Sequence, residues 1–391
     1  LQTLLDLMRE RIYHNKQKFN NDFTLLKQSV TLRSRYKRSV SFNSASLRAH
    51  SLIRFVNEGA KPILIKEYPV KISVAGIITI ALICNVSISQ AREMGHYAPG
   101  VVSIRDLAVP PVPGFFYAQY NAYFSADRYI DGDGNKRLNF ESEGGEVKLD
   151  TDVDVLAIAP VFLWSTEKKI LGANYAFYVA PNIGKSSVSA QLSVLDQGGS
   201  GDNDAIGIGD TFVQPIWLGW QGERYDIALG AGAYLPSGKY DAEDGDSIGL
   251  GFWTGQLQTS AYWYLDEARA AALEFAVTYE FHGEQEDTDV TPGDHVSVEY
   301  GYSQYLSQRV EVGISGYSQW QVEKDKRPTI TDLGLDPNAK GEVHAFGVEA
   351  AYWFTPQFNV SLRYIKEYEG RARLQGDWVA LNFIWTPVPV F

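Results

Sequence analysis

Ala272–Phe281 reads ALEFAVTYEF, and its alternation decides the fold. Leu273, Phe275, Val277, Tyr279 and Phe281 fall on one face of an extended chain, while Glu274, Ala276, Thr278, Glu280 and His282 fall on the other. Phe358–Tyr368 (FNVSLRYIKEY) repeats the pattern. A soluble sandwich also alternates, with its apolar face turned inward. Here many strands of about ten residues or more carry Trp and Tyr at their ends and follow an export signal. The expectation is therefore all-β: a transmembrane antiparallel β-barrel of about 12 strands, in the outer membrane of a Gram-negative bacterium.

Working outward, the 391 residues are 45% hydrophobic and 13% aromatic. A helical membrane protein needs several apolar runs of about 20 residues, and this chain has one candidate, Ile72–Ile88 (ISVAGIITIALICNVSI). It follows Lys66 and Lys71 and precedes Ser89-Gln90-Ala91. A basic segment, an apolar segment and a small-x-small end make a secretory signal, so residues 62–91 read as a signal peptide cleaved after Ala91, with an N-terminal anchor as the alternative. Residues 1–61, densest in charge at Arg33-Ser34-Arg35-Tyr36-Lys37-Arg38, fit neither signal nor barrel. They read as a non-native or disordered basic extension from an over-extended reading frame. A nucleic-acid-binding arm is the alternative, but the charge is not interleaved with an aromatic-rich or glycine-rich pattern, Tyr36 being the one aromatic in the Arg33–Arg38 run.

From Arg92 onward there are 21 Lys and Arg against 42 Asp and Glu, a net charge of −21 where the whole chain has −12. The single cysteine, Cys84, lies in the signal. An acidic, thiol-free mature chain suits an oxidising envelope compartment and argues against nucleic acid as a partner.

Residues 92–113 lack sustained periodicity and end in Pro110, Pro111 and Pro113, so they precede the first strand as a periplasmic or plug segment. From Gly114 the barrel runs to 391. Its strand candidates are 114–126, 152–164, 171–195, 206–220, 223–236, 250–264, 270–282, 294–306, 309–321, 342–354, 357–369 and 375–385. The third contains Pro181 and Gly184 and reads as one long, bulged strand. Short turns at 166–169, 221–223, 266–269, 307–308 and 355–357 alternate with long connections at 127–151, 196–205, 237–249, 283–293 and 322–341. The last connection, 370–374, is short for an outward one. Such alternation puts the short turns and both chain ends in the periplasm.

Trp164, Trp217, Trp220, Trp263, Tyr264, Trp353, Phe354 and Trp385 sit beside the short turns and read as one girdle at headgroup level. In the last strand Val379, Leu381, Phe383 and Trp385 alternate with Ala380, Asn382 and Ile384 ahead of a terminal Phe391. That is the pattern expected by the outer-membrane assembly machinery, a partner along with outer-membrane lipid. Pro387 and Pro389 interrupt it.

No catalytic, cofactor or metal site is assigned. Histidines 96, 282, 295 and 344 include three at strand ends near acidic loops, which leaves a surface hydrolase as one alternative, but no nucleophile motif accompanies them. Asp131-Gly132-Asp133-Gly134-Asn135 opens like a calcium loop, yet Lys136 and Ser142 occupy the glycine and glutamate positions. Acidic segments at 202–204 and 241–246 offer only weak cation binding. Gly207-Ile208-Gly209-Asp210 and Gly230-Ala231-Gly232 precede no helix and so relieve crowding rather than hold phosphate.

The lumen-facing set is Asp210, Gln214, Gln256, Gln258, Glu274, Glu280, Glu299, Glu311, Gln319, Gln321, Glu349, Arg363 and Glu367. Charge facing lipid costs several kcal/mol near the midplane, so these residues face an interior of water, counter-charges or both, with Arg363 paired to a carboxylate. A wall-stabilising ion network and a permeation role both remain open.

Gly95–Gly100 (GHYAPG), Gly114–Tyr123 (GFFYAQYNAY), Gly207–Asp210 (GIGD), Pro215 with Leu218-Gly219-Trp220, and Ala233–Gly238 (AYLPSG) together resemble the meta-pathway phenol-degradation protein family over Gly95 to Trp385. The family is similar to the long-chain fatty-acid channels. The resemblance implies an outer-membrane channel for diffusive uptake of hydrophobic, aromatic small molecules, without cofactor. It also implies an N-terminal plug and sideways release through the wall; Tyr97, Val101, Val102, Ile104, Leu107 and Val109 make residues 92–113 apolar enough for that plug. A mobile periplasmic tail is the alternative for the segment, and a water-filled pore for polar or cationic solutes is the alternative for the channel. An adhesive or purely structural barrel also stays open.

Overall fold

The structure, a computed structural model, describes residues 95–389 apart from 137–138, 143–144, 195–196, 242–246 and 328–337, and gives the backbone alone for 139–142, 145–151, 190–194 and 197–203. The expected extension, signal peptide and residues 92–94 lie outside the described residues, as do Phe391 and all of the 241–246 segment except Asp241. The side chains of Ser142 and Asp202 lie outside them too.

Thirteen strands follow in chain order: β1 (Gly114–Ile130), β2 (Asn139–Ser142), β3 (Gly145–Ile170), β4 (Ala173–Val194), β5 (Gln197–Gln221), β6 (Tyr225–Leu235), β7 (Thr254–Tyr264), β8 (Ala271–His282), β9 (His295–Tyr305), β10 (Val310–Gln321), β11 (Glu342–Thr355), β12 (Phe358–Arg371) and β13 (Arg373–Trp385). Each pairs antiparallel with its neighbour, and β1 pairs with both β13 and β3, which closes the sheet. The short β2 pairs only with β3, so the closed barrel has 12 strands. Closure joins the first and last of the 12 barrel strands and lets a lipid-facing wall satisfy its backbone. Tyr117 lies opposite Trp385, so the first and last strands meet at one rim, the rim of the short turns.

Period two sets the wall. In β8, Leu273, Phe275 and Phe281 are exposed on the outer face, whereas Glu274, Ala276, Thr278, Glu280 and His282 are buried inside. The strand bounds expected from sequence hold to within a few residues for β6 to β13. They hold for β4 as well, and differ for β3 and β5, which run 26 and 25 residues. The connection expected at 196–205 is therefore mostly strand, and the 127–151 loop contains the end of β1, all of β2 and the start of β3. Such lengths far exceed the membrane's apolar band of about 25 Å. The first short turn also moves, from 166–169 to Leu171-Gly172, where φ angles of 51° and 81° give the positive values a two-residue hairpin requires.

Prolines interrupt the long-stranded part of the wall. The β3–β4 ladder stops after Ile158↔Ile183 and resumes at Phe162↔Val179, with Pro160 and Pro181 between. The β4–β5 register shifts between Ala180 and Asn182, around Pro181, and the β5–β6 register shifts between Val213 and Ile216, around Pro215. Proline has no N–H to give a ladder. The single bulged strand expected at 171–195 is thus β4.

The aromatic girdle needs correction. Trp164, Trp263, Phe354 and Trp385 are exposed on the outer face, but Trp217, Tyr264 and Trp353 are buried inside the barrel. At Trp217 the shift around Pro215 moves the inward set from Gln214 to Trp217 and reverses the parity of the strand.

Candidate functional site

Residues 95–113 make no strand, and they thread the barrel from the rim of the long loops to that of the short turns. At the outer end His96 Nε2 donates to Asp210 Oδ2 at 2.9 Å on β5. The Tyr97 amide donates to Glu280 Oε1 at 2.8 Å, and its hydroxyl donates to Glu299 Oε1. Gly100, at φ 84°, gives its N–H to Glu299 Oε2 at 2.7 Å. Deeper, Asn382 Nδ2 donates to the Val101 carbonyl at 3.0 Å, Arg363 to that of Val102, and the Ile104 amide faces both oxygens of Glu349 at 3.3 Å.

At the inner end the guanidinium of Arg105 reaches Glu311 at 2.6 Å, Ser303 at 2.8 Å and the carbonyls of Arg269 and Ala270 at 2.8 Å each. The Tyr262 hydroxyl accepts from the Leu107 amide at 3.0 Å and donates to the Ile104 carbonyl at 2.9 Å. Gln221 and Ser165 donate to the carbonyls of Val109 and Pro110. A chain without a ladder must place its backbone groups on side chains. The acidic wall supplies those partners.

Apolar contacts follow the same path. Ala98 and Val101 pack on Phe124, Tyr317, Ile365 and Trp378; Leu107 packs with Tyr262, Tyr264 and Ala272; Val109 packs with Leu163, Ala176 and Trp217. Ile104 is wholly buried. It fits because β10 carries glycine opposite: a Cβ on Gly313 would lie 2.3 Å from Ile104 Cδ1. Gly219 makes the same room for Val109, with 2.5 Å to its Cβ. Each such side chain contributes about 1.5–3 kcal/mol by leaving water.

Among the residues named from sequence, Asp210, Glu280, Glu299, Glu311, Glu349 and Arg363 bond the threading segment directly. Gln258 reaches the Tyr97 hydroxyl at 3.3 Å. Arg363 lies 3.4 Å from Glu349 as an ion pair, and Glu367 accepts from Tyr317, Arg373 and the Gly376 amide within the wall. Glu274 lies beside Gly301, and Gln214 accepts from Tyr178. Gln256 is buried with Oε1 unpartnered. Tyr97, Val101, Ile104 and Leu107 all lie inside the barrel. Arg105, Thr254, Tyr262 and Arg373 belong to the same network, though no motif marks them in the sequence. Tyr262 shares the parity of Gln256 and Gln258, so its inward direction was available.

His96 Nδ1 also lies 2.7 Å from Thr254 Oγ1, whose other neighbour is His282 Nδ1 at 2.7 Å; His282 Nε2 then meets His295 Nδ1 at 3.1 Å. Carboxylate, imidazole and hydroxyl occur in the order of a hydrolytic triad. Yet Thr254 is wholly buried between two imidazoles, where no substrate carbonyl can approach. His344 stands apart, bonded to Glu342 and Ser318. In the calcium-like loop Asp131 Oδ1 accepts the amides of Asp133 and Asn135 and closes its own turn. At the outer rim a cavity of about 640 Å³ is lined by Tyr129, Trp320, Gln321, Lys340, Glu342 and Arg371 among others.

The profile of a family described as "Putative MetA-pathway of phenol degradation" matches residues 126–383. No curated protein matches the chain. An outer membrane channel from Pseudomonas putida F1 has the same fold: 15% identity, a TM-score of 0.52, and coverage of 73% of this chain and 99% of that one. A CymD monoaromatic hydrocarbon channel aligns with 9% identity and a TM-score of 0.36 over 78% of this chain and 98% of its own. The architecture is that of a Gram-negative outer-membrane barrel.

Proposed function

We propose, on the premise that the chain belongs to the family of the putative MetA-pathway of phenol degradation, that it is an outer-membrane channel for diffusive uptake of small apolar aromatic molecules, with residues 95–113 as its plug. The observation that carries this reading is the use of the lumenal carboxylates. Asp210, Glu280, Glu299, Glu349 and Glu311 are occupied by donors of the threading segment. A cation-conducting pore would instead present such carboxylates to water. The apolar path is lined by Phe124, Tyr317, Tyr262 and Trp378, surfaces suited to aromatic rings.

A molecule entering from the cavity at the outer rim meets the plug and leaves sideways. The proline-interrupted patch between β3 and β6 is the exit this reading assigns, because a ladder with missing bonds opens at least cost. Families sharing a name do not share a solute, so the test is direct. Cells lacking the gene, with and without its restoration, are given a dilute labelled apolar aromatic and a small hydrophilic sugar. Restoration of the aromatic alone supports the channel. Restoration of the sugar alone means a water-filled pore for polar or cationic solutes, and restoration of neither leaves the hydrolase and structural readings. Deletion of 95–109 raises ion conductance if the segment is a plug, and unchanged conductance refutes that role.

A further inference from the structure

Asp210, His96, Thr254, His282 and His295 form an unbroken chain with contacts of 2.9, 2.7, 2.7 and 3.1 Å. Its polarity is fixed at one end. Asp210 Oδ1 accepts the Gly238 amide and Oδ2 the Leu250 amide, each a bond that an ionised carboxylate takes, so His96 presents Nε2–H to it. When His96 carries that proton alone, its Nδ1 is a lone pair and receives the Thr254 hydroxyl proton. Thr254 Oγ1 in turn accepts from His282 Nδ1–H, and His282 Nε2 accepts from His295 Nδ1–H. In this unloaded state the chain ends in the lone pair of His295 Nε2, which is buried and has no partner.

We infer that these five groups are a proton relay, taking up one proton at His295 Nε2 and storing it on His96 against Asp210. The transfers balance. His295 gains a proton at Nε2 and passes its Nδ1 proton to His282 Nε2; His282 passes its Nδ1 proton to Thr254; Thr254 passes its hydroxyl proton to His96 Nδ1. Only His96 ends with an added proton; the three hydrogen bonds from His96 Nδ1 to His295 reverse direction, and the one from His96 Nε2 to Asp210 keeps its own.

The surrounding charges drive the proton that way. Burial disfavours an imidazolium at His295 and Arg373 on β13 repels one, and together they outweigh the nearby Gly293 backbone carbonyl that favours it. Glu280, opposite His295 in the β8–β9 ladder, turns Oε1 to the Tyr97 amide. His96 has Asp210 at one nitrogen, the Tyr234 ring stacked at 4.7 Å and Phe252 at 4.9 Å. An imidazolium–carboxylate pair at His96 fastens the start of residues 95–113 to β5, so acid tightens the contact. That consequence rests on the plug reading; the relay does not.

The test is nitrogen NMR of the full chain carrying ¹⁵N-histidine in lipid nanodiscs, titrated from about pH 8 to about pH 5, the window in which imidazole changes charge. The expected result is an imidazolium at His96 with His282 and His295 changing from the Nδ1–H to the Nε2–H tautomer in step. An imidazolium resident on His295, or unchanged tautomers, overturns the relay. Thr254→Val cuts the chain and should uncouple the two tautomer changes from His96; a wild-type titration in this variant also overturns it. Should Thr254→Val fail to fold, His295→Gln keeps a donor to His282 but takes no proton. His96 should then stay neutral where the wild type titrates, and an unchanged His96 titration refutes uptake at His295. Conductance of the 95–109 deletion separates the two claims, since its failure to rise removes the plug and leaves the tautomer shifts standing.

Discussion

Arg105 Nε and Glu311 Oε1 meet at 2.6 Å and join the segment that threads the barrel to the inner wall of β10. The same guanidinium caps the carbonyls of Arg269 and Ala270 and lies 4.7 Å from the Tyr305 ring centre. Removing one partner of a mostly buried pair costs about 3 kcal/mol. Arg105→Ala should release the inner half of residues 95–113, raising and destabilising single-channel conductance. Arg105→Lys should rescue little, since an ammonium cannot span a carboxylate and two carbonyls at once. Planar-bilayer recording of the three proteins checks this, and a Lys variant equal to wild type would contradict it.

Gly313 offers a second handle on the same contact. Its Cβ would stand 2.3 Å from Ile104 Cδ1, so Gly313→Ala should destabilise by about 1–3 kcal/mol through overpacking. Ile104→Ala alone leaves a void. The double variant should be more stable than the sum of the two single effects allows, because the added methyl fills the space vacated. Thermal unfolding of all four proteins supplies the cycle, and strict additivity would mean that the two residues do not touch.

Much of this arrangement was legible in the chain. Glu274 and Glu280 alternate with Leu273 and Phe275, so a period of two gave β8 its faces without further information. Tyr264 and Trp353 share the inward parity of Gln258 and Glu349, and that signal outweighs their place beside the short turns. Trp217 is different, for the bulge at Pro215 reverses parity within β5, and a shift of one residue turns every later side chain to the other face. Nor does local pattern show what an inward carboxylate meets. Glu349 and Ile104 are 245 positions apart, and only closure of the barrel brings them together.

Asp266 sits in the turn between β7 and β8 at the inner rim and accepts the amides of Ala270 and Ala271 at 2.9 and 2.7 Å. These bonds hold its carboxyl below the usual value. A lowered folded-state pKa means that the unfolded chain binds the proton more readily. The contribution is therefore complete above the unfolded value of about 4 and is lost as pH falls through the folded one. Asp266→Asn should lower stability at neutral pH and flatten the acid limb of the curve. Melting followed from about pH 6 downward tests it, and parallel curves for the two proteins would exclude the turn as the source.

Pro160 and Pro181 stand opposite one another, because the β3–β4 register is the same on both sides of the gap between Ile158↔Ile183 and Phe162↔Val179. Neither residue can donate, so the wall lacks bonds at the level where Asn182 Oδ1 is buried without a partner. Replacing both prolines with valine returns two N–H groups to extended backbone, and β-branched side chains favour that geometry. The double variant should melt higher, by roughly 0.5–1.5 kcal/mol per bond regained, and should take up apolar aromatics more slowly. Its ion conductance should be unchanged, since ions follow the lumen past the plug. Uptake equal to wild type in a protein that is measurably more stable would place the exit elsewhere in the wall, whereas a matched fall in uptake and conductance would mean that both follow a single path along the barrel axis.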